Sequence, residues 1–430
     1  MDAKVDPLDV AAATIPRVLG DRAVFPVFQP IMELATGNVV GVEALARGPA
    51  GSAVEHPSAL FAAASRAGLL PQVDQLCFTR AVEIARDAAE LVPSLLFANA
   101  EPAVVNEPIS PDLLAAVRSE RRFRIVMEYT ERGLASHLSS LVGLATLAYE
   151  DGNAIAMDDV GVEPMSLALL PVLEPDVVKL DMHLLRHPHL SSSVETAAIV
   201  AGYAERTGAV VVAEGIETED DLATARVLGA QWGQGWLFGQ PGPLTALAGR
   251  PVQNTPRLRP PRRGTYLPPG TPFDIAAMGN PSRPCDRRTI DELTEYLLSV
   301  AGSSGSRTVI LGVYPDQAVG EAWLPRLTAM ADTVAFVGLT GAGLPGRNAH
   351  RVSVAMDPAD GTVTALAVIG PYAAVALCAR PAPGGGMEFV LTHEANRVHV
   401  MARMLMRLVG AAADAWDSAA APSGHDNRDG

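Results

Sequence analysis

The chain has 430 residues, of which 48% are hydrophobic and 19% are charged, and its formal net charge is −15 at pH 7. The apolar content is enough for sizeable cores, which excludes a disordered chain, a collagen and a coiled coil. The acidic balance provides no broad basic field to displace counterions, so it argues against a protein that coats nucleic acid, and we expect no DNA partner.

The first 19 residues form a lead that contains no apolar run, so no secretory signal is expected. Residues 20–248 then alternate short apolar runs with amphipathic helical segments. This alternation predicts parallel strands joined by right-handed crossovers. Eight such units predict an α/β fold, a (β/α)8 barrel. The eight apolar runs are Phe25–Met32, Val39–Leu45, Leu95–Ala100, Arg124–Tyr129, Ala154–Asp159, Val177–Asp181, Val210–Gly215 and Gly233–Phe238.

The first two runs are separated only by residues 33–38, in which Thr36, Gly37 and Asn38 are turn-forming residues. A connection this short suits a hairpin, because a parallel crossover needs a dozen or more residues. We therefore expect the first strand to run antiparallel to the second.

The second half of the chain predicts a smaller α/β domain. Residues 249–272 contain seven prolines and several arginines and predict a semi-rigid linker whose arginines are solvated. Residues 273–416 follow with strand-like runs and a long closing helix at Ala395–Ala413. Residues 417–430 predict a disordered tail.

One stretch of the second domain, Thr362–Ala379, contains no charged residue. Gly370 and Pro371 divide it, so it predicts two buried strands rather than a membrane span, and we expect no membrane partner. The three cysteines of the chain are too few and too scattered for a disulfide framework, which predicts a cytoplasmic protein.

Each apolar run of residues 20–248 contains or ends in a polar residue. In an eight-stranded barrel, strand ends on one face converge on a single site. Carboxylates with an amide oxygen prefer Mg²⁺ or Mn²⁺ over Zn²⁺, and five carboxylates together need cations to hold them. A kinked strand end would let Asp158 bridge two ions while Asp159 binds only the second. The polar residues are Gln29, Glu43, Asn99, Glu128, Asp158, Asp159, Lys179, Glu214 and Gln234.

Lysine is rare in this chain, which has Lys4 and Lys179 only and uses arginine everywhere else. A compact ammonium on a flexible stem is not equivalent to a planar guanidinium. Lys179 at a strand end therefore predicts a role that arginine cannot fill.

Two kinds of barrel chemistry would use such carboxylates. Two cations about 3.5–4 Å apart would activate water and stabilise both oxygens of a phosphodiester displacement. A pair of carboxylates could instead act as a glycosidase. The glycosidase alternative explains Lys179, Asn99 and the adjacent aspartates poorly.

Seven short motifs follow one another along the same residues. They are Glu43-Ala44-Leu45-Ala46-Arg47, Asn99-Ala100-Glu101-Pro102, Glu128-Tyr129-Thr130-Glu131, Asp158-Asp159 with Gly161, Lys179-Leu180-Asp181, Ala213-Glu214-Gly215-Ile216-Glu217-Thr218 and Gln234-Gly235-Trp236-Leu237-Phe238. Their order and spacing resemble the EAL-domain phosphodiesterases of bacterial cyclic di-GMP signalling. This resemblance covers about residues 20–245. It implies a (β/α)8 barrel that hydrolyses cyclic di-GMP to linear pGpG.

The resemblance also implies a role for individual residues. Lys179 and Glu214 would orient the attacking water and help to deprotonate it, and Gln234 would support its shell. Two ions, Mg²⁺ or Mn²⁺, are implied as cofactors. The implied ligands are Glu43, Asn99, Glu128 and Asp158 for one ion and Asp158 with Asp159 for the second.

Three further residues receive implied roles. Arg47 and Gln29 would contact the phosphate or base of the substrate, and Glu131 resembles the loop-stabilising glutamate of the family. The chain departs from the family pattern at Val160–Ser166, where Pro164 and an acid replace a small, hydroxyl-rich loop. An alternative is therefore a catalytically silent domain that acts as a cyclic di-GMP receptor or as a signalling scaffold.

The region from Phe273-Asp274-Ile275 to the final helix is similar to the DICT domain, a sensory module. The resemblance implies an unknown signal or ligand at this domain. Barrel helices of this family pair, so a homodimer is expected. The cysteines and histidines of the second domain match no zinc spacing and are interpreted as ordinary packing.

Overall fold

The structure of the chain is a computed structural model. It describes residues 6–101, 108–130, 138–161, 164–253, 256–261, 266–341, 347–349, 352–356 and 362–420. Two compact units are present. The first comprises Met1–Gly133, Leu144–Glu163 and Glu174–Gly264, and the second comprises Leu134–Gly143, Pro164–Leu173 and Thr265–Gly430. The last boundary between the two units, between Gly264 and Thr265, falls inside the predicted linker 249–272.

Eight strands of the first unit close into a barrel in chain order, which confirms the predicted (β/α)8 architecture. Neighbouring strands from β2 to β8 run parallel, and β1 is antiparallel to both β2 and β8. The predicted hairpin between the first two strands is thus confirmed. The strands are β1 Val27–Glu33, β2 Val39–Leu45, β3 Leu95–Asn99, β4 Arg124–Thr130, β5 Ala154–Val160, β6 Val177–Leu180, β7 Val210–Ala213 and β8 Trp232–Gln234.

Ten helices lie along the same part of the chain, within the described residues. They are α1 Pro7–Ala12, α2 Ile15–Gly20, α3 Pro57–Arg66, α4 Leu70–Asp87, α5 Pro111–Arg118, α6 Leu138–Glu150, α7 Pro164–Leu173, α8 Met182–Arg186, α9 Ser191–Thr207 and α10 Glu219–Val227. Helix α4 packs on the outside of the barrel, where Phe78 and Val82 join a buried cluster with Val42 and Leu96. Local signals start several helices. At α10, Thr218 accepts a hydrogen bond from the Asp221 N–H in a capping box.

The amino-terminal ends of the strands are closed by part of the predicted linker. Leu258 packs against the core of the barrel. The guanidinium of Arg259 lies 2.9 Å from Asp176 Oδ1, and this carboxylate is fully buried. Arg259 also donates hydrogen bonds to the carbonyl oxygens of Glu174 and Pro175, at 2.8 and 2.6 Å. Arg259 is therefore a buried part of the first unit and not a solvated spacer residue.

Replacing Arg259 by methionine is expected to lower the free energy of unfolding by about 3–5 kcal/mol, because Asp176 would remain buried without its cation. Urea unfolding measures this change. The matched control is Arg257→Met, since Arg257 is exposed two residues earlier in the same segment. Equal stability of the two variants would contradict the role given to Arg259.

The second unit contains an eight-stranded sheet in the order β12-β13-β11-β10-β14-β15-β16-β9. Strands β10, β11 and β13 are mutually parallel, and the other pairings are antiparallel. This confirms a second, smaller sheet domain. The strands are β9 Arg283–Cys285, β10 Val309–Tyr314, β11 Phe336–Gly341, β12 Arg347–Ala349, β13 Val352–Met356, β14 Thr364–Gly370, β15 Ala373–Pro381 and β16 Met387–Thr392.

Four further helices pack on this sheet. They are α11 Pro272–Ala277, α12 Arg287–Ser304, α13 Gln317–Ala329 and α14 Ala395–Ala420. Leu297 of α12 and Trp323 of α13 share a buried cluster with Ile310 and Leu366 of the sheet. Helix α14 contacts β10, β11, β13, β14 and β15.

Two predictions concern the carboxyl-terminal part of the chain, one for an uncharged stretch and one for the tail. The uncharged stretch Thr362–Ala379 forms the neighbouring strands β14 and β15, as predicted. Helix α14 extends to Ala420, and the predicted disordered tail begins at residue 417; residues 421–430 lie outside the described residues. Among the described helices, none combines the length and the apolar character needed to cross a membrane.

Candidate active site

The predicted strand-end residues meet at the carboxyl ends of the barrel strands. In the strand register, Gln29 of β1 pairs with Glu43 of β2, and Asn99 of β3 pairs with Glu128 of β4. Parallel strands place their ends at the same edge of the sheet, which explains the convergence. We define the candidate active site as Glu43, Asn99, Glu128, Asp158, Asp159, Lys179, Glu214 and Gln234.

Lys179 lies at the centre of this site. Its side chain is 1% exposed, and its ammonium group contacts four carboxylates that come from four different strand ends. The Nζ atom lies 3.4 Å from Glu43 Oε2, 2.9 Å from Glu128 Oε1, 3.1 Å from Asp158 Oδ1 and 2.7 Å from Glu214 Oε1. A single cation thus links the acidic groups of β2, β4, β5 and the residue after β7.

Two amide side chains complete the ring around the carboxylates. Asn99 Nδ2 donates to Glu43 Oε1 at 3.2 Å and lies 3.5 Å from Glu128 Oε2. Gln234 Nε2 donates to Glu43 Oε2 at 2.7 Å and to Gln29 Oε1 at 2.9 Å. These bonds fix Glu43 from both sides.

The residue after Gln234 must be glycine. Gly235 has a φ of 156°, and a Cβ atom at this position would lie 2.1 Å from the carbonyl oxygen of Ile216. The missing side chain therefore allows the end of β8 to approach the segment that follows Glu214. Both Gln234 and Glu214 depend on this close backbone approach.

The ionisation of the site reflects burial and mutual repulsion. Burial raises the pKa of Glu128 well above its ordinary value, and the neighbouring Glu43 charge adds to this effect. Burial likewise raises the pKa of Glu214, with a further contribution from Asp158. For Lys179, burial acts to lower the pKa, but the surrounding carboxylates prevail and raise it well above the ordinary value. The ammonium therefore stays protonated.

Strand β5 kinks between its two aspartates. Asp159 has a left-handed φ of 57°, and the pairing of β5 with β6 shifts between Met157 and Val160. Left-handed backbone is uncommon for a residue other than glycine and stores strain. The kink turns both carboxylates to one side, so that ligand atoms of Asp158, Asp159 and Glu214 all lie within 4.8 Å of one another.

The chemistry of the donor set fits hard divalent cations. The site has five carboxylates (Glu43, Glu128, Asp158, Asp159 and Glu214) against one ammonium, and all its neutral donors are amides. Among the described residues, the buried Oε1 atom of Gln234 has no hydrogen-bond partner. An oxygen-rich, strongly negative set of this kind suits Mg²⁺ or Mn²⁺.

Three residues with predicted roles lie at the edge of the site or beyond the described chain. Gln29 is buried and donates to the Gly239 carbonyl oxygen at 3.1 Å, so both ends of its amide are bonded within the barrel. Arg47 is half-buried and donates to the Ala46 carbonyl oxygen. Glu131 lies outside the described residues.

A buried acid that was not predicted from the sequence lies beside the site. Asp74 of α4 lines a cavity of about 270 Å³ together with Ala46, Asn99 and Glu101. Burial raises the pKa of Asp74 to about 8, and the charge of Glu101 adds to this effect. The sequence does contain a signal that could have identified Asp74: it is an acid between Val73 and Leu76-Cys77, on the apolar face of an amphipathic helix.

The titration of Asp74 predicts a pH dependence of stability. Its pKa is higher in the folded state, about 8, than in the unfolded chain, near 3.8, so the folded state binds the extra proton between these values. The contribution of Asp74 to the free energy of unfolding is therefore fully present at low pH. It is lost as the pH rises between these two pKa values, by at most about 1.4 kcal/mol per pH unit. Asp74→Asn is expected to remove this slope in urea unfolding at a series of pH values.

The control for this pH series is Asp87→Asn at the exposed end of the same helix, which is expected to keep the wild-type slope. An Asp74→Asn variant whose stability falls with pH as steeply as that of the wild type would contradict the assignment.

The family model described as "EAL domain" matches residues 12–241, more than half of the 430 residues. The probable cyclic di-GMP phosphodiesterase PdeB of Escherichia coli (strain K12) is 30% identical over 224 residues, which cover 49% of this chain and 41% of the relative. The cyclic di-GMP phosphodiesterase PA2567 of Pseudomonas aeruginosa is 31% identical over 233 residues, which cover 50% of this chain and 38% of the relative.

Among solved structures, the manganese/cy-diGMP complex of Klebsiella pneumoniae BlrP1 at pH 9.0 is 28% identical, with a TM-score of 0.45, and the match covers 51% of this chain and 56% of that chain. The chain spans about two fifths of the length of the two curated relatives. From the match of the family model over residues 12–241, the chain belongs to the EAL domain family.

Proposed function

We propose that this protein hydrolyses cyclic di-GMP to linear pGpG with two divalent cations, Mg²⁺ or Mn²⁺. The observation that carries the proposal is the Lys179 ammonium among four strand-end carboxylates. Membership of the EAL domain family and the curated phosphodiesterases among its relatives support the substrate.

Bound cations would activate water near neutral pH and stabilise the attacking and leaving oxygens of the phosphodiester. Glu43, Asn99, Glu128 and Asp158 would hold one ion, and Asp158 with Asp159 would hold the other. The cluster of Asp158, Asp159 and Glu214 ligand atoms within 4.8 Å supports the second assignment.

The proton of the attacking water goes to Glu214 in this proposal. Lys179 stays protonated, so it orients the water and does not take the proton. The Oε1 atom of Glu214 lies 2.7 Å from Lys179 Nζ, so this carboxylate is within reach of a water that the ammonium would orient. Water adds to phosphorus, one P–O bond of the ring breaks, and the leaving oxygen takes up one proton, equal to the one that Glu214 removes, to become a hydroxyl. Gln234 and Arg47 would support the water and the phosphate.

One assay tests this function. Purified full-length protein is incubated with cyclic di-GMP and Mg²⁺ or Mn²⁺, and the products are separated by chromatography, with a chelator as the control. Formation of pGpG that the chelator abolishes supports the proposal. Tight binding without product would instead identify a receptor, and the absence of binding would identify a scaffold.

The second unit and the assembly are also proposals. We infer that the second unit is a DICT-like sensory module that modulates the barrel in response to a signal, and that the protein acts as a homodimer. The separate core of this unit supports an independent role for it. Removal of residues 273–430, the predicted sensory region, with an unchanged turnover rate would contradict the regulatory part.

A further inference from the structure

Residues 215–218, which lead from β7 to helix α10, connect two residues of the candidate active site. Glu214 directly precedes this segment. Within the segment, the Ile216 N–H donates to the Gln234 carbonyl oxygen at 3.0 Å, and the Ile216 carbonyl oxygen accepts from the Leu237 N–H at 3.0 Å. A displacement of residues 215–218 would therefore move both the carboxylate of Glu214 and the amide of Gln234.

One carboxylate, that of Asp221, holds the carboxyl end of the segment. Its Oδ2 atom accepts hydrogen bonds from the Glu217 N–H at 3.1 Å and from the Thr218 N–H at 2.9 Å. The Thr218 hydroxyl lies 2.8 Å from the same oxygen and donates to it. Asp221 is buried, so its other oxygen needs a partner of its own.

Arg186, the last residue of α8, supplies that partner. Its Nη1 atom donates to Asp221 Oδ1. Its Nη2 atom lies 3.3 Å from Glu217 Oε2 and 3.4 Å from the Gly215 carbonyl oxygen. A planar guanidinium can serve several acceptors in fixed directions, which the point charge of an ammonium does less well. The side chain of Arg186 thus contacts both ends of the segment.

Helix α8 ties Arg186 to the strand that carries Lys179. The helix begins directly after β6, where the side chain of Asp181 caps it. Two of its five residues, Leu184 and Leu185, are buried. The short helix therefore places the guanidinium at a fixed position relative to Lys179, and the segment that the guanidinium contacts follows Glu214.

We propose that Arg186 is a positioning residue, which holds residues 215–218 so that Glu214 and Gln234 keep their places beside Lys179. The proposal rests on the proposed function in one respect, the role of Glu214 towards the attacking water. Arg186 acts through the backbone after Glu214 and not on the reacting atoms. Its loss would leave the composition of the candidate active site intact but loosen its geometry, and a displacement of about 1 Å can cost about 10²-fold in rate.

Steady-state kinetics on the full-length chain test this role. Arg186→Gln is expected to lower kcat by about 10–10²-fold while KM changes less than about threefold, because the substrate contacts are kept. Arg186→Lys restores the charge next to Asp221 but not the planar fork, and it is expected to recover part of the loss. The matched control is Arg206→Gln, because Arg206 is an exposed arginine near the carboxyl end of α9 and is expected to be dispensable.

Amide hydrogen exchange, followed by mass spectrometry without substrate, gives a readout that does not depend on hydrolysis. Residues 215–218 are expected to exchange about tenfold faster in Arg186→Gln, because local opening of the segment no longer has to break the bonds to the guanidinium. Strand β4 is expected to exchange as in the wild type, which shows that the variant is folded.

Faster exchange of residues 215–218, together with a lower kcat and an unchanged KM, supports the proposal. Unchanged exchange in Arg186→Gln would overturn it, as would a wild-type kcat in this variant or an equal loss in Arg206→Gln. If the wild-type chain does not hydrolyse cyclic di-GMP, the proposed function fails. Faster exchange in Arg186→Gln would then still support the hold of Arg186 on the segment, and unchanged exchange would overturn it.

Discussion

Replacement of Asp158 by asparagine is expected to lower turnover of cyclic di-GMP by roughly 10³-fold, since a bound cation contributes several kcal/mol to the transition state and each 1.4 kcal/mol is tenfold in rate. The variant removes one of the four carboxylates around Lys179, and Asp158 is the one residue assigned to both cations. Asparagine has the same shape, so the packing of β5 is retained. Steady-state kinetics with Mg²⁺ and Mn²⁺ measure the change.

The matched control is Asp220→Asn, because Asp220 is an exposed acid in the first turn of α10 and lies outside the candidate active site. This variant is expected to keep wild-type turnover. If Asp158→Asn keeps at least a tenth of wild-type turnover at saturating metal, Asp158 does not bridge two ions and the two-cation proposal fails.

The barrel was predictable because its signal is local. The run Val39–Leu45 was predicted with the bounds that β2 has, and the six-residue gap before it was enough to predict the antiparallel first strand. Parallel strands that are buried on both faces appear as continuous apolar runs, so their positions depend little on distant residues.

Helix α7 was not predictable in the same way. Its first three residues, Pro164-Met165-Ser166, were interpreted as part of the altered loop Val160–Ser166 because they break the family pattern. The partners of α7 lie a hundred or more residues later, on β10, β14 and α14. Pro164 begins the helix, where a proline needs no N–H partner.

Short strands of the second unit were missed for a related reason. Strands β9 and β12 have three residues each, and both lie at the edges of the sheet. A three-residue strand carries too little alternation to be recognised, and only its partner defines it. Helix α13 was missed because Pro325 interrupts its pattern.

The composition of the candidate active site was predictable, but its internal arrangement was not. The strand-end residues could be identified because each one lies in or ends an apolar run, and barrel geometry predicted that they converge. The contact of Lys179 with all four carboxylates depends on side-chain reach across the barrel. The bonding of Gln29 to Gln234 depends on the pairing of β1 with β8, which closes the barrel.

Lys179→Arg is expected to lower turnover by about 10²–10³-fold while cyclic di-GMP binding changes little. The charge is kept, so the surrounding carboxylates remain compensated and the protein folds. A planar guanidinium, however, cannot place one nitrogen within 2.7–3.4 Å of four carboxylates in a space that leaves the lysine 1% exposed. The water next to Glu214 would lose its orientation, which is a loss of preorganisation worth this much in rate.

Single-turnover kinetics and calorimetry separate the two effects of Lys179→Arg. A second variant, Lys179→Met, isolates the charge: it leaves the carboxylates without a buried cation and is expected to lower the free energy of unfolding by about 3–5 kcal/mol, with added Mn²⁺ restoring part of it. Turnover of Lys179→Arg equal to that of the wild type would show that any cation suffices at this position. The scarcity of lysine in the chain would then have no catalytic meaning, and Glu214 alone would orient the water.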